Sequence, residues 1–301
     1  MGLARAHEAL AGKVAVVVGG AAGFLGRGVT MGLARSGVAI ACCDNDREGL
    51  AAIVPEVEAG GTRILAHEAD VADEGALLPF FDAVRERFGR IDILVNVVGG
   101  VERGLFADKS REQDARDIRL NYGYVIDSIR AALPLMRAHG EGGSIVNFTS
   151  IEAHRGAASF AVYAGAKAAT MNFSRALAVE LAAEQIRVNC IATDTSPARA
   201  SNNALSPADM ERLAGLDQGA LDRSIHFYVP QKQAPSVDDV VNGVLFLVSD
   251  LSRAITGTTL HIDGGTSAAL GFLDWPYGDG FMPAPLGGSI PHLFGDQKDR
   301  R

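Results

Sequence analysis

The stretch VAVVVGGAAGFLG, residues 14–26, decides the fold. Its first five residues are apolar and mostly β-branched, which suits a strand buried on both faces. Glycines then follow at positions 20, 23 and 26, spaced G-x-x-G-x-x-G, and a segment of helical period starts inside the array. Glycine permits a tight turn and a close backbone approach, and a helix N-terminus presents unpaired N–H groups and a partial positive charge. Phe24 and Leu25, between the last two glycines, fall in the first helical turn. A strand, a glycine turn and a helix in this order form the opening of a βαβ unit that receives a dinucleotide pyrophosphate.

Working outward, the same rhythm repeats. Apolar runs of strand length at 14–18, 38–43, 62–66, 91–95, 144–148, 186–191 and 258–262 alternate with helical periods near 24–36, 47–59, 73–88, 111–138, 162–184 and 237–249. Strict alternation implies right-handed crossovers and a parallel sheet. The expected fold class is therefore α/β: one Rossmann-like, doubly wound sheet of about seven strands with helices on both faces. Residues 1–267 are expected to form that domain. Its segment 193–235, long and interrupted by prolines, reads as a substrate lid. Residues 268–301 read as a Gly/Pro/aromatic tail whose aromatics suggest that part of it packs.

Composition narrows the function. The 301 residues are 48% hydrophobic and 21% charged, with a formal net charge of -8. An acidic chain without a Lys/Arg cluster is a poor match for nucleic acid. No run of about 18 apolar residues predicts a membrane span, and the first residues lack a secretory core. These features lead to the expectation of a cytoplasmic protein with a small-molecule partner and no membrane partner. Cys42, Cys43 and Cys190 sit in apolar runs without metal-ligand spacing, so they read as reduced structural thiols and no metal site is expected.

Two further features carry chemistry. The second strand ends at Asp44, whose carboxylate can accept from adenosine ribose hydroxyls and would repel a 2′-phosphate, favouring NAD over NADP. Arg47 is the counter-argument, being close enough to reach a phosphate, and a plain helix N-cap is the alternative role for Asp44. Tyr163 and Lys167 stand four apart in YAGAK, on one helical face, so an ammonium can sit beside a phenol. A nearby cation favours the phenolate, and the pair can then run proton transfer.

Together these residues resemble the short-chain dehydrogenase/reductase family over about residues 13–265. The glycine turn, Asp44, Asp70-Val71, Asn96-Val97-Val98-Gly99, Asn121, Ser150, Tyr163, Lys167 and Arg187-Val188-Asn189 come in that family's order. The resemblance implies that Tyr163 is the acid/base, that Ser150 holds the substrate oxygen, and that Lys167 lowers the tyrosine pKa and binds the nicotinamide ribose. Asn121 would hold a water linking Lys167 to solvent. The cofactor contacts it implies are Gly20, Gly23, Phe24, Leu25, Gly26, Asp44, Asp70 and Val71, then Asn96 and Gly99 at the turn, with Tyr163 and Lys167. It also implies a homodimer or homotetramer.

Three departures from the family pattern stand out. The glycine spacing resembles the family's extended branch, Val97-Val98 replace Asn-Ala, and Thr193-Asp194 replace the usual Pro-Gly, with Thr195 taken as the carboxamide contact. Glu152 and His154, together with Ser150 and Tyr163, are the candidate substrate residues. Gly100, Val101, Ala153, Leu213, Leu216, His226, Phe227 and Tyr228 are further candidate walls. The expected activity is NAD-dependent interconversion of a secondary alcohol and a ketone on a hydrophobic alicyclic, terpenoid, steroid-like or aromatic substrate. The competing readings are an NADPH-dependent ketone or 3-oxoacyl reductase and a silent NAD(H)-sensing protein.

Overall fold

In the computed structural model of the chain, residues 10–194, 218–275 and 280–283 are described. The apolar runs become β1 (Val14–Val18), β2 (Ala39–Asp44), β3 (Ile64–Glu68), β4 (Ile93–Asn96), β5 (Gly143–Ser150), β6 (Ile186–Thr193) and β7 (Thr259–Ile262). They pair in the order β3-β2-β1-β4-β5-β6-β7, every neighbour parallel. The order reverses between β1 and β4, and a crevice opens there at the carboxyl ends of the strands.

Alternate residues of each strand serve opposite faces. Ala15 and Val17 join a core with Leu33, Ile53 and Val244, drawn from α1 (Phe24–Arg35), α2 (Arg47–Ala59) and α8 (Val237–Val248). Val16 and Val18 join a second core with Phe80 and Phe81 of α3 (Leu77–Phe88), Ile129 and Met136 of α5 (Tyr124–Arg137), and Ala178 of α6 (Ala161–Glu180). Complete burial of one such side chain contributes roughly 1.5–3 kcal/mol. The central strand β1 is apolar and buried along its whole length because both of its faces are covered. Asp46, not Asp44, caps α2, its side chain accepting from the Gly49 N–H at 3.0 Å.

Three regions differ from the sequence expectation. The helical stretch 111–138 is interrupted: α4 (Arg111–Ile118) passes through one π-helical turn, Arg119–Gly123, before α5 begins. Such a turn inserts one extra residue and rotates the next helical segment about its axis. The lid segment contains α7 (Gln218–Tyr228). After the short α9 (Thr266–Ala269), the tail forms an antiparallel pair, β8 (Phe272–Trp275) with β9 (Gly280–Pro283), tied to the segment after α7 by a Lys232–Asp274 ion pair. Thr195, Leu213 and Leu216 lie outside the described residues. No helix among the described residues is long and apolar enough to cross a membrane.

Candidate active site

The glycine turn is built by close approach. A Cβ on Gly26 would lie 1.8 Å from the Gly19 carbonyl oxygen, so α1 can start against β1 only with glycine there. Gly23, at φ 63°, caps α1 and faces open space, leaving the helix N-terminus accessible. Gly20 packs instead toward Thr30 and Cys42, out of the crevice. Asp44 ties the end of β2 to this turn: Oδ2 accepts from the Ala21 and Ala22 N–H groups at 3.0 and 2.8 Å, and Oδ1 accepts from Asp46 N–H at 3.2 Å. A carboxylate has about four acceptor positions, so one remains toward the cavity it lines. Arg47 turns away, pairing with Glu68 at 2.8 Å and 81% exposed.

The cavity, about 1080 Å³, runs from this turn past Asp70, Val71 and Gly99 to Ser150 and Tyr163. Asn96 does not reach it. Its amide donates to Asn147 at 2.8 Å and accepts from Ser128 at 2.6 Å, and Asn147 donates to Ser174 at 2.9 Å. This buried chain binds β4 and β5 to α5 and α6.

Ser150 ends β5, and Tyr163 and Lys167 lie one turn apart on α6. Lys167 is 3% exposed. Its Nζ donates to the Phe148 carbonyl at 3.0 Å and lies 5.9 Å from the Tyr163 ring centre. Asn121, in the π-turn, donates to the Gly100 and Asp117 carbonyls at 2.7 and 2.8 Å. Its own carbonyl accepts from Thr170 at 2.7 Å. A Cβ on Gly99 would stand 2.8 Å from Lys167 Nζ and 3.1 Å from Asn121 Oδ1, so the lysine and asparagine converge on the space that glycine leaves.

The acidified phenol expected from the lysine is not what this environment produces. Burial pushes Tyr163 up to about 12, a hydrogen bond with Ser150 opposes that rise, and the Glu152 and Asp194 carboxylates add to it. Burial also pushes Lys167 down to about 8. Desolvation acts on both members of the pair, and the amine's hydrogen bond points to a carbonyl rather than to the phenol.

Beyond Ser150 the wall is charged. The Ser150 hydroxyl donates to Glu152, whose Oε1 accepts from Arg155 at 2.7 Å. Arg155 also donates to the Tyr228 hydroxyl at 3.0 Å, and that hydroxyl donates to Asp194 at 2.6 Å. Burial opposes the Arg155 charge, but its bonds to Glu152 and Tyr228 prevail and hold the guanidinium above its ordinary range. Tyr228 is pushed up to about 12, first by burial and then by Asp194. This network fastens α7 to the loops after β5 and β6.

The short-chain dehydrogenase model adh_short_C2, described as Enoyl-(Acyl carrier protein) reductase, matches residues 20–267. The chain belongs to the short-chain dehydrogenase/reductase family. It is 32% identical to 2,3-dihydro-2,3-dihydroxybenzoate dehydrogenase of Bacillus subtilis, over 86% of this chain and 98% of that one. It is 31% identical to 2,5-dichloro-2,5-cyclohexadiene-1,4-diol dehydrogenase LinX of Sphingobium indicum, over 87% and 98%. Among solved structures it is similar to carveol dehydrogenase from Mycobacterium avium in complex with NAD, with a TM-score of 0.74 and 29% identity over 86% and 98% of the two chains. As a member of this family the protein is a nicotinamide-dependent oxidoreductase.

Against the family's frame, the other candidates separate. His154 leaves the cavity, its ring lying 4.5 Å from His261 of β7, where burial lowers its pKa. His226 is exposed, with Nδ1 at 2.9 Å from the Asp222 carbonyl. Gly100, Val101 and Glu152 line the cavity, but Ala153 does not. Two residues were not singled out from the sequence. Phe160 lines the cavity edge-on to Tyr163, ring centres 6.0 Å apart, and Arg155 organises the charged wall. The Glu152–Arg155 spacing, i to i+3 with opposite charges, was the available signal for the second.

Proposed function

We propose that this oxidoreductase interconverts a secondary alcohol and a ketone on a hydrophobic alicyclic or aromatic frame, with NAD as the hydride carrier. One observation carries the proposal: Ser150 and Tyr163 share a cavity with the glycine turn and Asp44, with Lys167 buried directly behind the tyrosine. The open turn at Gly23 and the α1 N-terminus fit a pyrophosphate, and Asp44 fits ribose hydroxyls. Arg47, held by Glu68, does not supply a 2′-phosphate site, which supports NAD over NADP. Structural relatives support the substrate class, one being a carveol dehydrogenase and another a 7α-hydroxysteroid dehydrogenase bound to NADH and 7-oxo glycochenodeoxycholic acid.

NAD, when bound, supplies the acceptor for the hydride leaving the carbinol carbon. Tyr163 takes the hydroxyl proton in oxidation and returns it in reduction. Ser150 orients the reacting oxygen, and the Lys167 ammonium stabilises the phenolate. Because the phenol stays protonated in the protein alone, the oxidising rate rises with pH and the reducing rate falls. Asn121 holds the Gly99–Gly100 turn that gives Lys167 its space.

The test is NADH formation on a panel of alicyclic and aromatic alcohols. Tyr163→Phe is expected to lower kcat/KM by about 10²–10⁴ with NAD affinity kept, and calorimetry is expected to show NAD binding more tightly than NADP. Undiminished turnover by the phenylalanine variant would refute the role of Tyr163.

A further inference from the structure

We infer that Glu152 reads a second hydroxyl on the substrate, beside the one that reacts, so that neutral vicinal diols are favoured over mono-alcohols and over hydroxy acids. The inference rests on the oxidoreductase reading above and deepens it.

Glu152 lines the cavity two residues after Ser150, with its side chain only 11% exposed. Ser150 donates to one carboxylate oxygen and Arg155 to the other. These use two of about four acceptor positions. The carboxylate sits one hydrogen bond from the hydroxyl that meets the reacting oxygen, and the two oxygens of a vicinal diol are themselves about a hydrogen-bond length apart. A substrate hydroxyl on the carbon next to the carbinol can therefore replace Ser150 as a donor to Glu152, freeing the serine's one O–H for the reacting oxygen beside Tyr163. A bare methylene there would strip water from a charged acceptor without replacing it, which the mono-alcohol pays in affinity.

The sign of the wall excludes the third class. Among the described residues, carboxylates outnumber basic groups seven to one along the cavity, Arg116 being the one base. Arg155 is engaged by Glu152 and lies 3.8 Å from Asp194, so its charge is shared among groups already present. A substrate carboxylate next to the carbinol would face Glu152 directly and be repelled.

The experiment compares cyclohexanol, cis-1,2-cyclohexanediol and cis-2-hydroxycyclohexanecarboxylate as substrates with NAD, for the wild-type protein, Glu152→Gln and Glu152→Ala. In the wild type the diol is expected to exceed cyclohexanol in kcat/KM by about 10- to 100-fold, as for a hydrogen bond to a charged group, and the hydroxy acid to fall below cyclohexanol. Glu152→Ala is expected to bring the diol-to-alcohol ratio close to one, and Glu152→Gln to reduce it and relieve the penalty on the acid. A wild-type ratio near one, or a ratio unchanged in both variants, overturns the inference. Should Glu152→Ala not fold, the wild-type ratio and Glu152→Gln decide. If none of the three is turned over, the oxidoreductase proposal fails for this substrate class. Calorimetry of the diol and cyclohexanol on the NAD-saturated protein then decides the inference separately: tighter diol binding upholds it, and equal binding overturns it.

Discussion

The two ends of the cavity are built by different means. On the nucleotide side, main chain closes on main chain where Gly26 meets Gly19, and a single side chain, the Asp44 carboxylate, ties the turn by taking the N–H groups of Ala21 and Ala22. On the substrate side, charged and phenolic side chains meet across long separations, Arg155 and Tyr228 being 73 positions apart and Tyr228 and Asp194 34. The glycine contact depends on a side chain being absent, so any residue with a Cβ at Gly26 breaks it. The charged network depends on exchangeable polar groups, so changes there grade the response, which suits the end where substrates are told apart.

The largest expected effect comes from breaking the nucleotide end. In Gly26→Ala the new methyl would meet the Gly19 carbonyl at 1.8 Å, and neither is the free end of a flexible side chain. A loss of about 3 kcal/mol or more in unfolding free energy is expected, together with loss of NAD binding by calorimetry. Normal melting with normal NAD affinity would show that the turn has slack, and the contrast between the two ends would collapse.

The same contrast explains what could be read in the sequence. Valine-rich runs and the glycine spacing report burial and backbone approach within a few residues, so all seven strands of the sheet and the start of α1 were legible, and YAGAK showed its helical period. The π-turn at Arg119–Gly123 was not, because apolar residues on both sides, Ile118 and Val125, keep a helical spacing across it. Asn121 was visible as a residue, but its grip on Gly100 was not. The link from Glu152 through Arg155 to Tyr228 and Asp194 could not be seen, since nothing local in 194 or 228 names a partner. The phenol's shift runs opposite to what the spacing suggests for a related reason: i,i+4 shows that Lys167 is near, and only three-dimensional burial shows that desolvation leads the balance.

Lys167 stands where the two ends meet and sharpens the comparison through pH. Its amine falls from 10.5 to about 8 on burial. Between those values the unfolded chain binds more protons than the folded one, so this lysine makes stability rise with pH across that window, and its full cost is present at pH 7. Lys167→Met removes a buried charge at similar length. The variant is expected to be more stable than wild type at pH 7 by about 2–3 kcal/mol, on the scale of 1.4 kcal/mol per pH unit, with the gap closing by about pH 10. Its turnover is expected to fall steeply. Burial raises Cys42 in both proteins, so its opposite slope cancels in the difference, whereas Cys190, which the Lys167 charge lowers, rises further in the variant. Denaturant titrations at several pH values measure the gap, and a variant less stable at pH 7 would mean that the bond to the Phe148 carbonyl outweighs desolvation.

The smallest effect is expected at the substrate end. Tyr228→Phe keeps the ring of α7 in place and removes only the hydroxyl that joins Arg155 to Asp194. Arg155 retains Glu152 and its 3.8 Å approach to Asp194, so charge remains partly compensated. A stability loss of about 1 kcal/mol is expected, the usual size for one hydrogen-bonding group. If the network serves to hold α7 against the cavity, KM should rise about fivefold while kcat changes less, because binding is loosened before the reacting oxygen is reached. If kcat falls and KM stays, the loss has travelled through Arg155 and Glu152 to Ser150, and the charged wall then belongs to the reacting centre rather than to the lid. That outcome would erase the distinction drawn between the two ends, since a side-chain network would be acting as strictly as the glycine turn.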